Sequence, residues 1–236
     1  MTGKTALPIQ STEIIQHGPD YALTDTPSPG KKPVTKPAFT RAEPDARRAS
    51  LIEATARVLA RDGASGASVR TIAAEAGVSP GLVGHYFEGI DALIAATYAH
   101  VGAQVSTALD AAIEASGEAP RARLLAYATA SFAPPIADPA LLATWVAFWS
   151  LVKARPDIAA LHDEIYGAYR RDLEALLAAC GVAPAELRLA AIAITALVDG
   201  LWLELCLSPQ AFTADEARAI AARQIDALLA PLARSG

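Results

Sequence analysis

Two short apolar segments joined at a single glycine constrain this chain more than any other feature. Val69 to Ala76 and Pro80 to Phe87 each cover about two helical turns, with Gly77 between them. Helices that short are marginal alone in water, so each must bury a side against a neighbour. Ser68 is placed to cap the first, and Ser79-Pro80 opens the second with a cap residue and a proline at the first helical position. Upstream, Leu51, Ile52, Ala54, Thr55, Val58 and Leu59 recur at helical spacing from about Glu43 or Pro44, until Arg61-Asp62-Gly63 stops the run. Three short helices with a tight turn between the second and third predict a helix-turn-helix unit.

Beyond Gly89 the helices lengthen. Expected segments are Asp91 to Ser116 (capped by Asp91), Pro120 to Ala133, Pro139 to Ala154, Asp157 to Cys180, Pro184 to Leu207 and Thr213 to Leu232. The last opens on a Thr213-Glu216 capping box. The result is an all-α chain of about nine helices, with no competing strand pattern and no internal repeat. Residues 1–40 string six prolines among polar residues without periodicity and end on Lys31, Lys32 and Lys36, which predicts a disordered tail with a basic end. The expected organisation is this tail, a helix-turn-helix domain over 41–90, and a helical ligand-binding and dimerisation domain over 91–236.

Ser68 to Ile94, SVRTIAAEAGVSPGLVGHYFEGIDALI, resembles the DNA-binding domain of the TetR family of bacterial regulators. Ile72-Ala73, Ala76-Gly77-Val78-Ser79, His85-Tyr86-Phe87 and Leu93 carry the likeness, and Phe39 to Gly63 is similar to the family's first helix. Thr144 to Val152 and Ala196 to Ser208 look like the C-terminal domain of the BetI-type branch, associated with choline and glycine-betaine genes. The resemblance implies a repressor of a double-stranded operator, released by a small effector, that dimerises through its last two helices.

A recognition helix presents its N-terminal residues to base edges. Those are Ser79, Gly81, Leu82 and His85, and the resemblance adds Ser68, Thr71, Pro80 and Tyr86 to the DNA-facing set. Yet no Lys or Arg occurs from Thr71 to Pro120. Where relatives carry a lysine after the aromatic pair this chain has Ile90, and Glu75 stands where a basic residue is common. Net charge is +1 over residues 1–40, zero over 41–90 and −6 over 91–236. Phosphate grip therefore falls to Arg41, Arg47, Arg48, Arg70 and the lysines of the tail.

Trp145 and Trp149, Tyr166 and Tyr169, and Asp199 and Trp202 form three pairs at helical spacing on successive helices. Aromatic faces around a carboxylate in an apolar run suit a cationic ligand, although the same residues also suit an ordinary core. The helix from Pro184 to Leu207 is apolar nearly all round, so with the final helix it predicts a homodimer through residues 184–232.

No segment reads as membrane-spanning and no apolar leader is visible. Cys180 and Cys206 sit in apolar helical runs, as expected for a cytoplasmic protein. No hydrolase, metalloprotease, phosphate-loop or redox-cysteine motif occurs, so neither catalytic residues nor a cofactor are expected. His162-Asp163-Glu164 reads as solvated surface rather than a metal site. The competing reading is a protein of this fold that has lost DNA reading and acts through ligand or protein contacts.

Overall fold

The structure, a computed structural model, describes residues 44–230. The proline-rich tail, Arg41 and residues 231–236 lie outside the described residues. Nine helices and no strand occur within them: α1 (Pro44–Gly66), α2 (Val69–Glu75), α3 (Pro80–Tyr86), α4 (Ile90–Ala115), α5 (Pro120–Ala130), α6 (Pro139–Val152), α7 (Pro156–Ala179), α8 (Pro184–Leu207) and α9 (Ala214–Leu229).

Local chemistry explains the boundaries. Helices α3, α5, α6, α7 and α8 all begin with proline in the first turn, where its missing N–H would lack an intrahelical partner anyway. Helices α2 and α9 begin with capping boxes, Ser68 with Thr71 and Thr213 with Glu216. Gly77 adopts φ 66° and so makes the turn between α2 and α3 at little steric cost.

Several boundaries differ from expectation. Gly63, the expected stop of the first helix, is a non-helical kink at φ 68° inside α1, which runs on to Gly66. Helices α6 and α9 end two or three residues early, at Val152 and Leu229. Asp91 does not cap α4: Gly89 holds the N-cap at φ 105°, and Asp91 sits in the first turn, paired instead with Arg155 at 2.7 Å. Helix α5 stops at Ala130 rather than Ala133, and turns carry the chain to Asp138. Consecutive prolines at 134 and 135 disfavour helix in the residues before them.

Two cores form. Leu51, Ile52 and Val58 of α1 enclose Ile72 of α2, Val83 of α3, Phe87 and Leu93 of α4. The second core gathers Tyr98, Leu124, Tyr127, Phe148, Leu173 and Trp202 from α4 to α8, with Ala221 and Ile225 of α9. Each large side chain so buried contributes about 1.5–3 kcal/mol. Helix α1 belongs to both, because Leu59 faces the second core. Helix α6 lies against α1, and the Thr144 hydroxyl is 2.7 Å from its own-helix acceptor, the Ala140 carbonyl, and 3.2 Å from the Ala56 carbonyl of α1.

Helix α8 is the one described helix long and apolar enough, by length and composition, to cross a membrane. It nevertheless sends Trp202 into the second core and Asp199 into a hydrogen-bonded cluster. Along the same helix Leu189 is 62%, Ile192 39% and Leu207 64% exposed.

Candidate functional site

The helix-turn-helix face is built from α2 and α3. Val83 anchors α3 in the core, while Pro80, Gly81, Gly84 and His85 are exposed. Ser79 holds the N-cap position of α3 but makes no capping hydrogen bond, so its hydroxyl stays free at the surface. Leu82 and Tyr86 are half-buried, and Tyr86 packs against the core, edge-on to His85 at 5.0 Å. Ser68 and Thr71 are engaged within the fold: the Thr71 N–H donates to the Ser68 hydroxyl at 3.1 Å, and the Ser68 N–H to the Thr71 hydroxyl at 2.9 Å. They fix the start of α2.

The cations divide into two groups. Arg57 and Arg61 of α1 each donate to Glu75 of α2 at 2.8 Å. Those bonds hold the Glu75 carboxyl below the usual carboxylate range. The clasp ties α1 to α2 and occupies Arg57, which a neutral residue at 75 would leave free, whereas Arg61 also holds Asp62 at 2.8 Å. Arg47, Arg48 and Arg70 make no ion pair among the described residues. Arg70 is exposed, and the Arg48 guanidinium sits 4.8 Å from the centre of the Phe87 ring, a cation–π contact.

A second site lies within the larger core. A cavity of about 300 Å³ opens among α4, α5, α7 and α8, with Trp145 reaching in from α6. The spacing of its polar lining is helical: Tyr166, Tyr169 and Asp172 are three apart on α7, Asp199 and Trp202 three apart on α8, and Tyr127 of α5 is four from Ser131, the residue that caps its end. Gly102 of α4 permits the close approach of α7, since a Cβ there would meet Ile165 Cδ1 at 2.9 Å.

One hydroxyl organises the site. The Trp145 and Trp149 indoles both donate to the Tyr166 hydroxyl at 3.1 Å. Indole is a donor only, so both acceptor positions of that oxygen are filled, and its own proton goes to Asp199 Oδ1 at 3.1 Å. Trp202 Nε1 donates to the Ser131 carbonyl at 2.7 Å, and the Tyr127 hydroxyl to Asp172 at 3.1 Å. The buried Tyr169 hydroxyl makes no hydrogen bond of acceptable geometry, although the Ser131 side chain is near enough to oppose its upward pKa shift.

Burial pushes the Asp199 carboxyl up to about 6, against the opposing effects of the Tyr166 hydrogen bond and the Arg170 charge. Burial and then the Asp199 charge raise Tyr166 and Tyr169 above the ordinary phenol value, so both stay protonated donors. Glu164, Asp172 and Asp199 line the cavity, and no Lys, Arg or His does.

Of the six ligand residues expected from the sequence, the structure brings Trp145, Tyr166, Tyr169, Asp199 and Trp202 to this cavity. Trp149 is not in its lining and stands behind Tyr166 as a hydrogen-bond donor. Sequence reasoning missed Tyr127, Ser131 and Asp172; Asp172 follows Tyr169 at the same three-residue interval and was within reach of that signal. His162 is not the solvated residue expected. It is half-buried, bonded through Nδ1 to the Tyr98 hydroxyl at 3.0 Å and stacked on Tyr166 at 4.2 Å. Burial lowers its pKa below the ordinary imidazole value, which favours the neutral ring.

Comparison with known proteins covers both sites. Residues 51–97 match the family described as bacterial regulatory proteins, tetR family, and residues 120–230 match the BetI-type transcriptional repressor C-terminal family. The HTH-type transcriptional regulator BetI of Burkholderia thailandensis is 38% identical over 189 residues, covering 79% of this chain and 95% of that protein. A crystal structure assigned as a transcriptional regulator from Pseudomonas aeruginosa PAO1 is 44% identical, with a TM-score of 0.74, and covers 84% of this chain and 97% of the other. A regulator from Saccharomonospora viridis, solved in complex with choline, shares the fold at 18% identity and a TM-score of 0.67, covering 77% of this chain and 96% of its own.

Proposed function

Since the chain belongs to the TetR family of bacterial regulatory proteins, with a BetI-type C-terminal part, it is a DNA-binding transcriptional regulator, and we propose that it is a repressor released by a small organic cation. The observation that carries this reading is the lining of the cavity. Three carboxylates and five aromatic side chains on that wall, with no basic side chain, attract a cation and repel an anion. Asp199 Oδ1 already receives the Tyr166 proton, which leaves the other carboxylate oxygen for the ligand's charge. The Tyr169 hydroxyl offers a donor to an uncharged oxygen on the same ligand. A quaternary ammonium with a hydroxyl, such as the choline bound by the Saccharomonospora protein, has this chemistry.

The DNA-binding part comprises residues 41–90, and residues 91–236 hold the effector site and the dimer contact. Two copies joined through α8 and α9 cover Leu189, Ile192 and Leu207, and set two recognition helices on a palindromic operator in the cytoplasm. Bases are read by Ser79, Gly81, Leu82 and His85, with Pro80 opening their helix. Arg47, Arg48 and Arg70 supply phosphate contacts, supplemented by Arg41 and the lysines before it.

The Glu75 clasp and the cation-free α3 favour one competing reading, a member of the fold with weakened DNA reading. Fluorescence anisotropy on a duplex selected by the protein from random DNA, against a scrambled duplex at two salt concentrations, separates them. Sequence-dependent binding with a shallow salt slope supports the repressor, and equal weak binding to both supports the alternative. Calorimetry with choline, glycine betaine and tetramethylammonium tests the effector. Choline is expected to bind more tightly than the other two, and glycine betaine binding as well as choline would refute the acidic-pocket reasoning.

A further inference from the structure

The carboxylates of the cavity stand at its two ends. Asp199 is the inner one, held by the Tyr166 hydroxyl at 3.1 Å and raised by burial. Asp172 and Glu164 of α7 line the same cavity but are exposed, so they stand at its mouth. The wall between the ends is aromatic. Asp172 accepts the Tyr127 proton at 3.1 Å, and the Tyr127 ring stacks on Tyr169 at 5.2 Å. The Asp199 charge in turn acts on Tyr169, so the order along the wall is Asp199, Tyr169, Tyr127, Asp172. Tyr166, which holds Asp199, and Asp172 are two three-residue steps apart on α7, about 9 Å along the helix axis.

None of these carboxylates makes an ion pair among the described residues. An ionised carboxylate offers about four acceptor positions, and Asp172 and Asp199 each use one here on a tyrosine. A single trimethylammonium group covers only one end of such a site, and it has no N–H to give the Tyr169 hydroxyl. We propose that the cavity is built for a ligand with two positive charges, a linear aliphatic diamine or polyamine, with one ammonium between Asp199 and Tyr169 and the other at Asp172 and Glu164. This rests on the cationic-effector reading above and names the chemical class within it. The inner ammonium donates to the free Asp199 oxygen and to the Tyr169 hydroxyl, which makes no other well-formed hydrogen bond. The methylene chain lies along the Tyr127 and Tyr169 rings and beside Leu109, and the outer ammonium meets the two rim carboxylates while still in contact with water. A chain of about four to six carbons suits an end-to-end separation of about 9 Å.

The test is calorimetry on the full chain at neutral pH and low salt, with choline, pentylamine and cadaverine as probes. Pentylamine and cadaverine share one carbon chain and differ by a single ammonium, and both are protonated at that pH. Cadaverine is expected to bind about fivefold or more tightly than pentylamine, by a margin that shrinks as salt rises. It is also expected to displace choline. Asp172→Asn keeps an acceptor for Tyr127 and removes only the charge, and Glu164→Gln removes the other rim charge. In the variant carrying both, the preference for cadaverine is expected to vanish while choline and pentylamine bind as before. Asp199→Asn should weaken all three ligands.

Pentylamine binding as tightly as cadaverine, or a preference that survives removal of both rim charges, overturns the proposal. So does cadaverine that binds without displacing choline, since it then sits elsewhere on an acidic surface. Choline binding with no cadaverine binding overturns the proposal and leaves the cationic-effector reading standing. If none of the three ligands binds, that reading falls and the dication with it. Should the variant lacking both rim charges fail to fold by circular dichroism, the comparison of pentylamine with cadaverine on the wild type decides alone.

Discussion

Replacing Asp199 by Asn gives a stability change whose size and pH window follow from the structure. Burial raises the Asp199 carboxyl from 3.8 to about 6 in the folded chain, whereas in the unfolded chain it titrates at its ordinary value. Each pKa unit corresponds to 1.36 kcal/mol, so the displacement amounts to about 3 kcal/mol. The sign follows from linkage. A folded-state value above the unfolded one means that the folded chain holds the proton more tightly, so this contribution is complete below about pH 4 and is lost as pH rises through about 6.

Wild type minus Asp199→Asn should therefore change by about 3 kcal/mol between pH 4 and pH 8, with the variant gaining relative to wild type on the alkaline side. Chemical denaturation across that range, with both proteins in the same buffers, isolates this group, since every other titration is common to the pair. At pH 8 the variant is expected to melt several degrees higher, yet to lose affinity for choline. Saturating choline should flatten the wild-type curve, because a bound cation favours the ionised carboxylate. Two parallel stability curves from pH 4 to pH 8 would refute the account of Asp199 as a buried charge kept for binding.

Three further outcomes are expected. Glu75→Gln should release Arg57 while Arg61 stays on Asp62, alter melting little because both arginines are more than half exposed, and steepen the salt dependence of DNA binding by about 0.9 in log–log slope if Arg57 gains a phosphate. Phe148→Ala removes a fully buried ring stacked 4.3 Å from Tyr98, and should cost about 3–5 kcal/mol in denaturant titration. Leu207→Glu places a charge on the exposed α8 face, and should turn a dimer into a monomer by sedimentation equilibrium while leaving the helical signal intact.

Most helix starts were legible locally, because prolines 80, 120, 139, 156 and 184 and the two capping boxes act through the backbone of one turn, whereas the cap of α4 was not. The turn at Gly77 was legible for the same reason. Helical spacing also selected Trp145, Tyr166, Tyr169, Asp199 and Trp202, because it reports which residues share a face of one helix. It does not report which helix that face meets. The sequence by itself therefore determined nine helices, the recognition helix and an aromatic-acidic set.

Tertiary structure alone decided the rest. Tyr127 and Ser131 reach the cavity from α5 through packing between segments distant in the chain, and the cavity is the volume that such packing leaves unfilled. Glu75 reads as a lost cation in the sequence, but only the crossing of α1 over α2 turns it into a clasp on two arginines. Asp91 reads as a helix cap, and becomes an interhelix ion pair because the α6–α7 corner brings Arg155 within 2.7 Å. In each case the deciding contact joins residues far apart in sequence, so no local pattern encodes it.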